Sequence, residues 1–419
     1  MAEATTSWTD KDEAHMRRAL ALAERATGFT APNPLVGCVL VRGDQIIGEG
    51  FHRGRHWLSG GANCAEISRE DCLMHAEAMA LAEAGQEAAR GATAYVTLEP
   101  CNHYGATPPC AQGLIDAGIA RVVYAMADPN GVAAGGAARL RAAGITVEHG
   151  LCDDESRQLN RAWINRLAMS RVHVTAKFAA SLDGRIATSS GESKWITGPD
   201  ARARAHDLRQ ASDGIIVGAG TVIADNPALT VRDADRASEA QGANAMGAFS
   251  NPRRIILDTR ARTSPMAKAY QHHETDMARP LLVTTQAAPR ERLSLFRKQG
   301  IDVWELPQTA AGLIDLNALT SRLAKEGLNA VMVEGGAEIL GSFFDAGLVD
   351  EVWAFLAPMI IGGSGKSAVA GHGLAQLGDG LRFDALTTET VGADILLRGQ
   401  ITREVRQNVE EGAQCSQVS

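Results

Sequence analysis

Three soft or borderline metal ligands stand out in this chain: His75, Cys101 and Cys110. Each cysteine follows a proline, as Pro100-Cys101 and Pro109-Cys110, and Glu77 lies two residues after the histidine. A zinc ion that does chemistry keeps three protein ligands and leaves its fourth position to water. A carboxylate two residues from one ligand can reach that water without binding the metal, and can move its protons. His75-Ala76-Glu77 alone is a weak signal. Joined to the two Pro-Cys pairs and to the strand-like Ala94-Tyr95-Val96-Thr97-Leu98, it is strong. Two other readings stand beside it: a closed structural zinc knuckle with His103 as fourth ligand, and a Cys101–Cys110 disulfide. Glu77 argues against the knuckle, because a purely structural site has no use for that carboxylate. His/Cys/Cys plus a free Glu is the arrangement with which zinc deaminases hydrolyse a ring amine.

The elements that must position these residues can be read around them. The pattern predicts a helix over His75–Ala84, with His75 and Glu77 on adjoining sides, and a strand over 94–98 that delivers Cys101 to the loop at its C-terminal end. Upstream, residues 11–27 read as a helix with Met16, Leu20 and Ala23 on one face. Pro32-Asn33-Pro34 breaks the chain. Residues 36–42 and 45–50 then read as a hairpin turned at Gly43-Asp44. Asn33 and His52 sit at the ends of these elements. They are candidate substrate contacts, or else a turn-forming Asn and a surface His. Downstream, helices at 111–117 and 137–143 alternate with strands at 121–125 and 145–148. The expectation is an α/β sandwich with the metal helix packed on the sheet.

Residues 151–171 read as a polar, partly helical connection, and the composition restarts near 170. Strands are expected at 172–178, 214–218, 254–258, 281–284, 302–306, 330–334 and 351–356, with helices at 200–211, 290–299 and 315–326. Val331-Met332-Val333 runs into Glu334-Gly335-Gly336 and a helix from about Ala337. Backbone N–H groups at such a helix start can cradle a phosphate; taken alone, the Gly pair is as readily a tight turn. It is not the G-x-G-x-x-G fingerprint, so a plain Rossmann domain is not supported. Ser364-Gly365-Lys366-Ser367 resembles the end of a P-loop, but Ile360 stands where the first Gly belongs, and the segment reads as a loop. Residues 233–251 read as a surface loop and 404–419 as a disordered tail.

A length of 419 residues is expected to hold two or three domains. A net charge of −8 gives no footprint for nucleic acid or for a membrane surface, so an anionic substrate needs local Arg or Lys. Seven scattered cysteines point to a reducing, cytoplasmic setting with two of them bound to metal. Residues 1–10 lack the apolar core of a signal peptide, and no run approaches ~18 apolar residues, so no membrane span is expected.

The chain resembles the bifunctional deaminase–reductases of riboflavin biosynthesis over nearly its full length. The residues that carry the resemblance in the first half are Pro32-Asn33-Pro34, Val36-Gly37, Gly50-Phe51-His52, His75-Ala76-Glu77, Thr97-Leu98-Glu99-Pro100-Cys101-Asn102-His103 and Thr107-Pro108-Pro109-Cys110. In the second half they are Lys177, Ser181-Leu182-Asp183-Gly184-Arg185, Gly191-Glu192-Ser193-Lys194-Trp195-Ile196-Thr197, the run Asp225-Asn226-Pro227 through Arg232, and Glu334-Gly335-Gly336. The gap between Cys101 and Cys110 departs from the short C-x-x-C of nucleoside and nucleic-acid deaminases and fits this family.

The resemblance implies a cytidine-deaminase-like α/β sandwich over residues 1–170 and a dihydrofolate-reductase-like α/β domain over 171–403. The first would hydrolyse the 2-amino group of 2,5-diamino-6-(5-phosphoribosylamino)pyrimidin-4-one, with Zn2+ on His75, Cys101 and Cys110 and with Glu77 as acid/base. The second would use NADPH to reduce the ribosyl group to ribityl. By position, Ala179, Trp195, Thr221, Asp225, Thr259 and the run Gly336, Ala337, Glu338, Ile339, Leu340, Gly341 and Ser342 would contact NADPH. Ser193, Arg209, Leu229, Arg232 and Glu334 would contact substrate, the arginines suiting its phosphate. The implied partners are this small molecule and further copies of the chain, as a homo-oligomer.

Two departures from the family pattern are visible. An insertion near residues 55–74 separates His52 from His75 and contains Cys64-Ala65-Glu66, which imitates the metal signature. The spacing from Glu77 onward to Ala94 favours His75. An alternative reading is therefore a reductase whose deaminase half is impaired by the insertion. The second departure is Asp128-Pro129-Asn130-Gly131, where the family usually has another Pro after the Asn.

Overall fold

The structure is a computed structural model, and it describes residues 8–52, 75–104, 108–232, 251–274, 276 and 278–401. The chain begins with α1 (Asp10–Glu24), started by a capping box in which Thr9 and Asp12 bond each other's backbone N–H. The hairpin is present as β1 (Gly37–Arg42) and β2 (Gln45–Phe51). There follow α2 (Ala76–Ala84), α3 (Gln86–Ala89), β3 (Thr93–Leu98), α4 (Cys110–Asp116), β4 (Arg121–Met126), α5 (Gly136–Ala142) and β5 (Thr146–His149). The strands form one sheet in the order β2-β1-β3-β4-β5, antiparallel in its first three strands and parallel from β3 to β5.

Side chains alternate across this sheet with period two. Val39, Val41, Tyr95 and Val123 face α1, where Met16, Ala19 and Leu22 complete the layer. Cys38, Leu40, Ala94, Val96 and Val122 face the other way, against Ala76 and Ala80 of α2, Leu114 of α4 and Leu140 of α5. Both faces are covered, as a sheet with parallel strands requires. Helix α2 lies unusually close to β2. A Cβ on Gly48 would come within 2.2 Å of the Ala80 carbonyl oxygen, and one on Gly50 within 2.1 Å of that of Ala76. The two glycines let the helix backbone rest on the strand, and this fixes where the N-terminus of α2 points.

The connection is two helices, α6 (Asp153–Leu159) and α7 (Arg161–Met169). The second half contains β6 (His173–Ser181), β7 (Arg185–Ala187), α8 (Pro199–Gln210), β8 (Gly214–Gly218), α9 (Ala219–Asp225), β9 (Arg253–Leu257), β10 (Leu281–Thr284), α10 (Arg290–Lys298), β11 (Asp302–Glu305), α11 (Leu316–Lys325), β12 (Ala330–Glu334), α12 (Ala337–Asp345), β13 (Glu351–Ala357), β14 (Lys366–Ser367), β15 (Phe383–Val391) and β16 (Asp394–Ile401). Nine of these strands form a sheet in the order β11-β10-β9-β8-β12-β6-β13-β16-β15, parallel as far as β13 and antiparallel in the last two. Two apolar layers cover its faces, one around Leu319, Leu323 and Phe343, the other around Leu208, Leu293 and Phe296. The architecture is the expected α/β class throughout.

The structure differs from the sequence reading in places, and β7 and α9 are among the elements not expected. The hairpin β15–β16 was not expected, because β15 is exposed along eight of its nine residues and shows no buried face. Lys366–Ser367, expected as loop, is a short strand paired with β7. His75 precedes the helix as its N-cap in extended conformation, so only Glu77 is helical. Cys64, Glu66, the insertion, most of the 233–251 segment and the tail from 404 lie outside the described residues. Among the described residues, no helix is long and apolar enough to cross a membrane.

Candidate active sites

The first site forms where two helix starts meet the end of β3. His75 caps α2, Cys110 opens α4, and Cys101 lies in the loop that leaves β3. The His75 Nδ1 is 3.1 Å from Cys110 Sγ and 3.6 Å from Cys101 Sγ. The three ligand atoms lie within 4.8 Å of one another. Tetrahedral zinc with bonds of about 2.0–2.3 Å needs ligand atoms about 3.5–3.8 Å apart, so the donor set fits that ion in type and spacing. His103 is not in this group, although its buried Nδ1 has no partner among the described residues. Both cysteines are free thiols, so the disulfide reading fails.

Electrostatics agree with the geometry. A hydrogen bond from Cys110 draws the Cys101 thiol down to about 4, and the same bond pushes Cys110 well up. The two sulfurs share a proton where a cation would let both ionise. Burial pushes the Glu77 carboxyl upward, and the nearby Cys101 adds to the shift while His75 opposes it. Glu77 is 4% exposed, so it has little access to bulk water. Such a carboxyl is suited to accept and return a proton.

Asn33 and His52, expected only as candidates, come together here. Asn33 Nδ2 is 3.1 Å from His52 Nε2, and the His52 ring meets the His75 ring edge to face at 5.3 Å. Sequence reading gave Glu99 no role of its own. Its carboxylate accepts from the backbone N–H of Gly135 and Ala137 at 3.1 and 3.0 Å, which ties down the loop that carries Cys101. Its place inside the Leu98-Glu99-Pro100-Cys101 run was the available signal.

The second site lies along the C-terminal ends of parallel strands, where open α/β sheets bind ligands. Ala179 is in β6, Thr221 follows β8, Thr259 follows β9, and Glu334 ends β12. Thr221 Oγ1 accepts from Gly336 N–H at 3.1 Å, which joins α9 to the start of α12, the run Gly336–Ser342. The Thr259 carbonyl accepts from the hydroxyls of Thr284 and Thr285. Asp225 ends α9 and is exposed. Trp195 is 67% exposed, with the Arg202 guanidinium 4.4 Å above its ring. Ser193 lies two residues before it, half-buried.

Glu334 is the electrostatic centre of this site. Arg209 grips both its oxygens at 2.8–3.1 Å and gives its third donor to the Thr230 carbonyl. Lys177 Nζ lies 3.7 Å from the same carboxylate. Burial alone would raise the Glu334 carboxyl, but Arg209 and Lys177 outweigh it and hold it near about 2. Burial pushes the Lys177 ammonium below its ordinary value, and Glu334 only partly restores it. Lys177 was part of the sequence motif but had no assigned role. Leu229 is buried with a left-handed backbone at φ 59°, and Arg232 Nη2 stands 3.3 Å from His206 Nε2.

Two family models match the chain. The cytidine and deoxycytidylate deaminase zinc-binding region covers residues 9–126, and the RibD C-terminal domain covers 172–397. The riboflavin biosynthesis protein RibD of Escherichia coli K12 is 41% identical over 92% of this chain and 98% of its own length. That of Aquifex aeolicus is 36% identical over 92% and 97%. Among solved structures, one crystal form of Acinetobacter baumannii RibD superposes with a TM-score of 0.78 at 37% identity, over 94% of this chain and 99% of that one. A Thermotoga maritima diaminohydroxyphosphoribosylaminopyrimidine deaminase/5-amino-6-(5-phosphoribosylamino)uracil reductase gives 0.76 at 30% identity, over 94% and 99%. With both kinds of site in one chain and kinship along nearly all of it, the protein belongs to the RibD family, the bifunctional zinc-dependent deaminases and NADPH-dependent reductases of riboflavin biosynthesis.

Proposed function

We propose that residues 1–170 form the deaminase unit and 171–403 the reductase unit. The substrates are those named for the Thermotoga maritima relative: the diaminohydroxyphosphoribosylaminopyrimidine at the first site and 5-amino-6-(5-phosphoribosylamino)uracil at the second. The observation that carries this reading is the convergence of His75, Cys101 and Cys110 beside a buried Glu77.

His75, Cys101 and Cys110 would hold a zinc ion, which would act as a Lewis acid toward a water. Glu77 takes a proton from that water and returns protons to the ring nitrogen and the departing amine, which leaves as ammonia. Asn33 and His52 present polar atoms to the pyrimidine beside the metal ligands.

In the second unit, Thr221, the run Gly336–Ser342 at the start of α12, Ala179, Trp195, Asp225 and Thr259 would hold NADPH. NADPH would supply the hydride for reduction of the ribosyl group. Ser193, Leu229, Arg232 and Glu334 line the substrate, with Arg232 as the exposed cation for its phosphate. Arg209 acts through Glu334, since its donors are directed at that carboxylate and at Thr230. Reduction also needs a proton, and Lys177, buried against Glu334 with its basicity lowered, would give it; its contact with Glu334 supports this reading.

We further propose a homo-oligomer. The exposed edge strand β15 presents Phe383 and Leu386, and an open apolar edge favours strand pairing with another copy. Sedimentation at micromolar concentration distinguishes it from a monomer. A reducing, cytoplasmic setting suits two free thiols that serve as metal ligands.

The function is tested by supplying the diaminopyrimidine to zinc-loaded protein. Ammonia is released without NADPH, and NADPH is then oxidised at the expense of the uracil product. NADPH oxidation with the uracil compound, but no ammonia, would leave a reductase only.

A further inference from the structure

The loop that carries Asn33 is built against the other half of the molecule. At its start, Gly28 has φ +83°, and a Cβ there would lie 2.1 Å from the carbonyl oxygen of Gln210, the last residue of α8. At its end, three hydrogen bonds converge. Arg166 of α7 donates from Nη2 to the Pro32 carbonyl at 2.8 Å and from Nε to Asn329 Oδ1 at 2.7 Å. Asn329 Nδ2 donates to the Asn33 carbonyl at 3.3 Å. The Pro32 ring also packs near Gly327.

Asn329 is itself immobile. Its N–H donates to Asp213 Oδ2 at 2.7 Å, its carbonyl accepts from His173 N–H at 2.8 Å, and it is 8% exposed. It stands just before β12, the strand that ends in Glu334. The backbone on both sides of the Asn33 side chain is thus held by groups outside the first sheet. The partner of that side chain, His52, touches the metal ligand His75.

We infer that Arg166 and Asn329 are positioning residues for deamination, and that the reductase half helps to set the Asn33 wall of the first site, through Asn329 directly and through its hold on Arg166 of α7. This rests on the reading of Asn33 as a substrate contact. Neither residue lies in the reductase pocket, so the effect belongs to the deaminase alone. A misplaced binding group weakens substrate capture more than it slows chemistry.

The test uses full-length, zinc-loaded R166M, R166K and N329A, with ammonia release measured against substrate concentration without NADPH. R166M and N329A are expected to raise KM by about fivefold or more, the effect of losing one or two hydrogen bonds, with a smaller change in kcat. Zinc content and NADPH oxidation with the uracil substrate stay as in the parent. R166K, which keeps a donor, recovers part of the loss. An unchanged KM in both variants overturns the inference. So does a joint fall of zinc content and both activities, which would show support of the fold only. N33A separates the two levels. If N33A raises KM while R166M and N329A do not, the coupling alone fails. If N33A leaves KM unchanged, the placement of Asn33 at the substrate fails, and the coupling with it.

Discussion

His75 Nδ1 lies 3.1 Å from Cys110 Sγ across 35 residues of chain, and each residue stands at the start of its own helix. These two candidate metal ligands are therefore placed by the packing of α2 and α4 on the sheet.

If packing sets the ligands, a change far from the metal in chemistry but next to it in backbone should release the ion. Gly50→Ala puts a methyl 2.1 Å from the Ala76 carbonyl, one residue from His75. Helix α2 must move, and His75 moves with it. The expected result is zinc content well below one per chain and loss of ammonia release, with NADPH oxidation by the reductase retained. Metal analysis of the purified variant checks it; full zinc occupancy would contradict it.

The sign of the reductase's pH dependence follows from Lys177. Under the proposed role its ammonium form would give the proton, and burial lowers its pKa while Glu334 raises it. Activity is present below that pKa and lost as pH rises through it, so the alkaline limb of kcat falls below the ordinary lysine range. Glu334→Gln removes the attraction that favours the ammonium and moves the limb to still lower pH. A pH profile of NADPH oxidation reads both effects. A limb that moves upward in Glu334→Gln would exclude Lys177 as the donor.

Much of this was legible in the sequence, for identifiable reasons. Strands 214–218, 281–284 and 330–334 are compact β-branched or apolar runs bounded by polar turns, and they appear where expected. The convergence of His75, Cys101 and Cys110 was legible because their types are rare and their chemistry narrow. The hairpin β15–β16 was not, because a strand with no buried face leaves no alternation to read. Nor were Arg166 and Asn329. They are 163 residues apart in the chain, and only tertiary packing brings them to one loop.

Stability of the second half should depend on Arg171 and Asp350. Arg171 gives two donors to the Asp350 carboxylate at 2.7–2.8 Å, and both side chains are buried. Removing Arg171 takes away both charge-assisted donors and leaves the buried Asp350 carboxylate with the weaker support of the Val174 N–H at 2.8 Å and the His173 ring at 3.8 Å. Arg171→Met is expected to cost about 3–5 kcal/mol. Urea unfolding followed by the loss of NADPH oxidation measures it, and a midpoint equal to the parent's would show that the other partners of Asp350 suffice to hold it.

The most direct test of the account is Glu77→Gln, which keeps the shape of the side chain and removes its proton chemistry. The variant should bind about one zinc per chain and oxidise NADPH with the uracil substrate at the parent rate. Ammonia release should fall by about 100-fold or more, the usual weight of a general acid–base group. A Glu77→Gln protein that holds zinc and still deaminates at the parent rate would contradict the assignment of this cluster as the working deaminase centre.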